Sequence, residues 1–171
     1  SRIFISPIIF LFITFYQFYG WALMLFLLVS VSDYWDGYLA RKYNLESALG
    51  EVLDPIADKI LVTFLVLALR IEFSSIYIGI IGGMMLAREF WVAALRDLNA
   101  RQGNLTATKV TFLAKIKTSI QFLTFSLYLL GLLQNNALIL FISDFFLLMA
   151  LLISLQTGIK YTKTTFQTAK K

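Results

Sequence analysis

The sequence predicts an all-α integral membrane protein of six transmembrane helices, and three observations carry that prediction. Of 171 residues, 59% are hydrophobic and 16% aromatic while only 15% are charged, an apolar share well above that of an ordinary soluble domain. The apolar residues fall into six runs of membrane-spanning length. The basic residues gather in alternate connections between those runs, the positive-inside pattern of a multi-pass protein.

The first span is expected from Ile3 to Tyr19, the second from Trp21 to Ala40 and the third from Gly50 to Leu69. The fourth runs from Ile76 to Leu95, the fifth from Phe112 to Leu133 and the sixth from Ala137 to Tyr161. Three connections are very short: Tyr19-Gly20, Glu72 to Ser75, and Gln134 to Asn136. The other two, Arg41 to Leu49 and Arg96 to Thr111, are longer and polar. The net charge is +5. Arg41, Lys42, Arg96, Arg101, Lys109, Lys115 and Lys117 lie in or beside the two long connections, and Lys160, Lys163, Lys170 and Lys171 follow the last span. Arg70 alone departs from the pattern. The long connections and both termini are therefore expected on the cytoplasmic side. Residues 1–171 read as a single domain without internal repeats. The chain starts at Ser1 without a methionine, so the natural amino terminus is expected upstream.

There is no cysteine and no histidine. That excludes a disulfide framework, a thiolate nucleophile and a sulfur-ligated metal, together with the usual general base near neutral pH. A metal here would be a hard, oxygen-ligated cation such as Mg²⁺, Mn²⁺ or Ca²⁺.

Four aspartates carry most of the chemistry. Asp33 and Asp36 are three residues apart at the end of the second span, and Asp54 and Asp58 are four apart in the third. At helical spacing each pair shares a face. Antiparallel packing of the two spans would then gather four carboxylates around one volume near the inner interface. One carboxylate at the centre of a membrane helix costs roughly 2.5–3.5 kcal/mol, and four left anionic and unpaired cost on the order of 10 kcal/mol. A pair of divalent cations about 4 Å apart, as in two-metal phosphoryl-transfer sites, would compensate. A proton or cation pathway is the other use of intramembrane acids, as in a cation carrier. Gly37 lets a ligand approach the backbone, Gly50 permits close packing, and Arg41 is placed to grip a phosphate.

A second cluster is basic. Arg88 is isolated in an apolar run and should face the bundle interior, while Arg96 lies eight residues on, near the same face. Lys117 opens the fifth span at the same interface, and Glu89 is available to pair with a neighbouring base. Arg88, Arg96 and Lys117 together suit a phosphorylated ligand; a neutral one would need no such pocket. Asp144 reads as an interfacial or paired acid, Lys59 as a partner for a carboxylate or phosphate, and Tyr16, Phe18, Tyr19 and Trp21 as an outer aromatic belt.

The acidic run fits D-x2-D-G-x2-A-R-x8-G-x3-D-x3-D at every defined position: Asp33, Asp36, Gly37, Ala40, Arg41, Gly50, Asp54 and Asp58. In this the chain resembles the CDP-alcohol phosphotransferases, and the six-span layout is similar too. The resemblance implies that family's helical bundle, with its site at the cytoplasmic interface, a CDP-linked donor, two divalent ions (Mg²⁺ or Mn²⁺) and an alcohol acceptor. Carried over by position, Asp33, Asp36, Asp54 and Asp58 would ligate metal, with Asp54 and Asp58 catalytic and Asp58 a candidate general base. Gly37, Ala40, Arg41 and Gly50 would line the CDP pocket with Asp33 and Asp36. The Ala87-Arg88-Glu89 run, the later Leu95-Arg96 and the Lys115–Gln121 run resemble the phosphatidylglycerophosphate synthases, with Ala114 where those carry glycine. That likeness implies CDP-diacylglycerol as donor, glycerol 3-phosphate as acceptor, a homodimer and a bacterial cytoplasmic membrane, and it adds Arg2 as a further phosphate contact. Other acceptors of the same chemistry are inositol phosphate, serine and phosphatidylglycerol.

Overall fold

The computed structural model describes residues 2–43, 48–101 and 112–168. Among them are six α-helices and no strand: α1 (Arg2–Thr14), α2 (Tyr19–Tyr43), α3 (Ala48–Glu72), α4 (Ile76–Arg101), α5 (Phe112–Gln134) and α6 (Ala137–Thr168). The all-α class is as expected. Three stretches, Ile76–Arg101, Ile116–Gln134 and Ala137–Phe166, are long and apolar enough to cross a membrane. The apolar stretches of α1 and α2 are shorter, Arg2–Thr14 and Tyr19–Ser32. Charged residues from Glu51 to Lys59 interrupt the apolar run of α3.

Helix ends depart from the hydropathy boundaries in two ways. The first predicted span ends five residues early, at Thr14. There the Phe18 N–H donates to the Phe12 carbonyl at 2.8 Å, and Gln17 turns the chain with φ 52°. At 13 residues, α1 is roughly 20 Å long at 1.5 Å per residue, short of the ~30 Å hydrocarbon core. The other two short connections also reverse through one left-handed residue each, Ser74 and Asn135, both at φ 48°. At the opposite end, α4 and α6 continue past Leu95 and Tyr161 to Arg101 and Thr168. Hydropathy marks where lipid ends; the backbone hydrogen-bond ladder continues into water.

The helices pack in a closed order. Each has two principal neighbours, in the sequence α1–α2–α5–α6–α4–α3 and back to α1. Thus α1 lies against both α2 and α3, the two helices that carry the aspartates. Ile9, Ile13, Phe26, Leu65, Phe125 and Tyr128 are among the side chains that fill the interior. A smaller apolar cluster of Val92, Leu95 and Tyr161 lies towards the carboxyl-terminal ends of α4 and α6. Arg88, Lys117, Gln121, Ser154 and Thr157 are also buried. Helices α3 and α4 approach closely at Gly82, where an added Cβ would stand 2.3 Å from Val66 Cγ1.

Candidate active site

A cavity of about 740 Å³ opens among α2, α3, α4, α5 and α6. One wall belongs to α3, with Asp54, Pro55, Asp58 and Lys59. Across from it stand Arg88, Glu89 and Arg96 of α4, Lys117 and Gln121 of α5, and Tyr161 of α6. Phe26, Leu61, Leu65, Phe122 and Phe125 line its apolar part. The α3 pair of the acidic cluster and the basic cluster therefore face one volume, and Asp58 is near enough to Lys117 to attract it electrostatically.

Helical spacing puts Asp54 and Asp58 on one face of α3, and both carboxylates meet Arg2. The Arg2 guanidinium, itself buried, bonds Asp58 Oδ1 through Nη1 and Asp54 Oδ1 through Nη2 at 3.3 Å. Arg2, expected as a phosphate contact, is thus placed on the acids at the start of α1. Two carboxylates one turn apart beside a cavity are hard oxygen donors, which fits a divalent cation of the Mg²⁺ or Mn²⁺ kind. Asp33, Asp36, Gly37, Ala40 and Arg41 lie on the last turns of α2 and Gly50 on the first turn of α3. Their side-chain placement, and so the closure of a four-carboxylate set, lies outside the described residues. Among the described residues no group of three acids gathers. Lys59 lines the cavity as well.

The basic wall is held from three helices. Lys117 pairs with Glu89, whose Oε1 also lies 3.5 Å from Arg88 Nη1. Arg88 Nη2 donates to Thr157 Oγ1 at 2.5 Å, and Arg96 Nη2 donates to Tyr161 Oη at 3.3 Å. The Arg96 guanidinium carbon also stands 5.3 Å from the centroid of the Tyr161 ring. Arg96 repels Arg88, while Glu89 attracts it. The Nε–H groups of Arg88 and Arg96 are buried without a partner among the described residues. A buried donor left unsatisfied costs roughly 1–3 kcal/mol, so an anion that accepts these hydrogens would recover that cost. The placement agrees with the i, i+8 spacing that put Arg88 and Arg96 on one face.

Sequence reasoning missed the contribution of α6. Ser154, Thr157, Tyr161 and Thr165 are all buried, and their spacings of three, four and four trace a single helical stripe. A polar stripe in an otherwise apolar span was the available signal. Asp144, expected as a paired acid, accepts a 2.5 Å hydrogen bond from the Tyr128 hydroxyl far from this cavity.

The family model described as CDP-alcohol phosphatidyltransferase matches residues 1–158. The chain is 38% identical over 141 residues to the CDP-diacylglycerol–glycerol-3-phosphate 3-phosphatidyltransferase of Rickettsia bellii, covering 82% of this chain and 76% of that protein. It is 33% identical over 124 residues to the protein of the same name from Salmonella choleraesuis, covering 70% and 67%. A second rickettsial relative of that name, from Rickettsia felis, is 36% identical over 141 residues, 82% of this chain and 76% of its own. With agreement over nearly its whole length, this membrane protein belongs to the CDP-alcohol phosphatidyltransferase family.

Proposed function

We propose that the protein transfers the phosphatidyl group of CDP-diacylglycerol to sn-glycerol 3-phosphate, giving phosphatidylglycerophosphate and CMP. The observation that carries this reading is the single cavity with acids on one wall and an anion-binding cluster on the other. The names of the relatives from Rickettsia and Salmonella point to the same donor and acceptor. Around Arg88, three cations and one carboxylate leave a net charge matched to a phosphate dianion.

In this reading the acceptor phosphate lies on Arg88, Arg96 and Lys117, which presents a glycerol hydroxyl towards α3. Asp58 takes the proton of the glycerol hydroxyl as that hydroxyl's oxygen bonds to the phosphatidyl phosphorus, and the P–O bond to the departing CMP breaks. Asp33, Asp36, Asp54 and Asp58 would hold two divalent cations, Mg²⁺ or Mn²⁺. Those ions supply charge stabilisation to the pyrophosphate when bound. Gly37, Ala40, Arg41 and Gly50 would line the CDP pocket by their place in the motif. Arg2 sits on Asp54 and Asp58 and is the cationic partner of the two α3 acids. The basic residues of the longer connections and the carboxyl-terminal tail favour a cytoplasmic face for the site and both termini, and a bacterial cytoplasmic membrane is carried over from the family resemblance. A homodimer is carried over from the family resemblance.

The test is CMP release from CDP-diacylglycerol by purified protein across glycerol 3-phosphate, inositol phosphate, serine and phosphatidylglycerol. Release is expected with glycerol 3-phosphate, to vanish with EDTA and to return with Mg²⁺ or Mn²⁺. Turnover with another member of the panel and none with glycerol 3-phosphate would overturn the acceptor. EDTA-resistant release would overturn the metal, and no release with any acceptor would leave the cation carrier.

A further inference from the structure

Helix α6 carries none of the motif residues, yet it makes the direct side-chain contacts to both cavity arginines. The Thr157 hydroxyl is fully engaged: it donates to the backbone of α6, 2.9 Å from the Ile153 carbonyl and 2.8 Å from that of Ser154, and accepts from Arg88 Nη2. Its proton is therefore turned into the helix and its lone pairs towards the guanidinium. One residue on, Gly158 leaves the space in which the Arg88 stem lies. A Cβ there would stand 3.1 Å from Arg88 Nε and 3.2 Å from Cγ, closer than ordinary van der Waals contact. One turn further, the Tyr161 hydroxyl and ring hold Arg96. Each arginine thus has one end anchored on α6 and an unpartnered Nε–H remaining.

We propose that α6 positions the acceptor pocket. Thr157 and Tyr161 set the heads of Arg88 and Arg96, and Gly158 supplies the gap that lets Arg88 reach the cavity. The three are positioning residues that act through the arginines, and this inference rests on the acceptor reading given above. Arg96 repels the buried Arg88, so without fixed partners the two guanidinium groups would splay apart and lose the convergent geometry that a phosphate requires.

The experiment compares Thr157→Val, Thr157→Ser, Gly158→Ala and Tyr161→Phe with the parent protein, each shown folded by its thermal unfolding in detergent. It reads KM for both substrates, kcat, and the calorimetric affinity for sn-glycerol 3-phosphate. Loss of one hydrogen bond to a charged group corresponds to about a tenfold effect. Thr157→Val and Gly158→Ala are therefore expected to raise the KM and Kd for glycerol 3-phosphate about tenfold, with kcat and the KM for CDP-diacylglycerol nearly unchanged. Thr157→Ser, which restores the hydroxyl, is expected to behave as the parent. Tyr161→Phe keeps the ring over Arg96 and should give a smaller rise. Unchanged glycerol 3-phosphate affinity in folded Thr157→Val, or equal losses for both substrates, overturns the proposal, and that variant decides alone if Gly158→Ala does not fold. Arg96→Ala separates the two levels. If it leaves glycerol 3-phosphate binding intact, the acceptor reading fails. If it weakens binding while the α6 variants do not, only the positioning role fails.

Discussion

Asp58 joins the two halves of the cavity. It lies on the acidic face of α3, bonds Arg2 of α1 and attracts Lys117 of α5. Its carboxylate can therefore exchange one partner for another without leaving its place, which suits a group that meets a cation, a hydroxyl and a proton in turn. Replacement by the isosteric amide removes the charge and the proton-accepting capacity and keeps the shape. Asp58→Asn is expected to abolish CMP release while the unfolding temperature stays near that of the parent. Retention of more than a few per cent of activity would remove Asp58 from the base role. The motif made this residue legible in the sequence. Its bond to Arg2 was not legible, because Asp54 and Asp58 lie more than fifty positions from Arg2 and no periodicity reports such a pairing.

At the level of elements, close backbone approach and polar pairing divide the work. Helices α3 and α4 meet through Gly82 against Val66. Gly82→Ala would place a methyl inside Val66, and overpacking of this kind costs about 1–3 kcal/mol. A drop in unfolding temperature is expected, with recovery in the double variant Gly82→Ala, Val66→Ala, which returns the space. If the single variant unfolds at the parental temperature, the close approach of α3 and α4 is not as described. Helices α4 and α6 run side by side through a series of polar pairs: Arg88 with Thr157, Trp91 with Thr162, Arg96 with Tyr161 and Asn99 with Thr165. In a medium without water, such pairs hold apolar helices in register, where lipid and leucine offer no distinction.

At the scale of the whole molecule, many large apolar side chains face outward. Phe4, Trp21, Ile80, Phe141 and Phe145 are all largely exposed, an arrangement stable only against lipid. Cysteine is absent, so a single introduced thiol reports its side of the membrane. Asn135→Cys, in the turn between α5 and α6, is expected to react with an impermeant maleimide from outside intact cells. Lys163→Cys, near the end of α6, should react only after the membrane is opened. Reversed labelling would invert the orientation and move the cavity to the outer face.

The sequence by itself determined the class of the protein, the order of the six described helices, the acidic motif and the shared face of Arg88 and Arg96. These are local properties, set by apolar run length and helical period. Tertiary structure alone decided that α1 packs against both α2 and α3, that Arg2 sits on the two acids of α3, and that α6 holds the arginines of α4. Helix order around a bundle depends on which faces fit, and in this chain almost every face is apolar, so hydropathy cannot rank the neighbours. The few buried polar groups choose them, and their partners are found only when the helices are brought together.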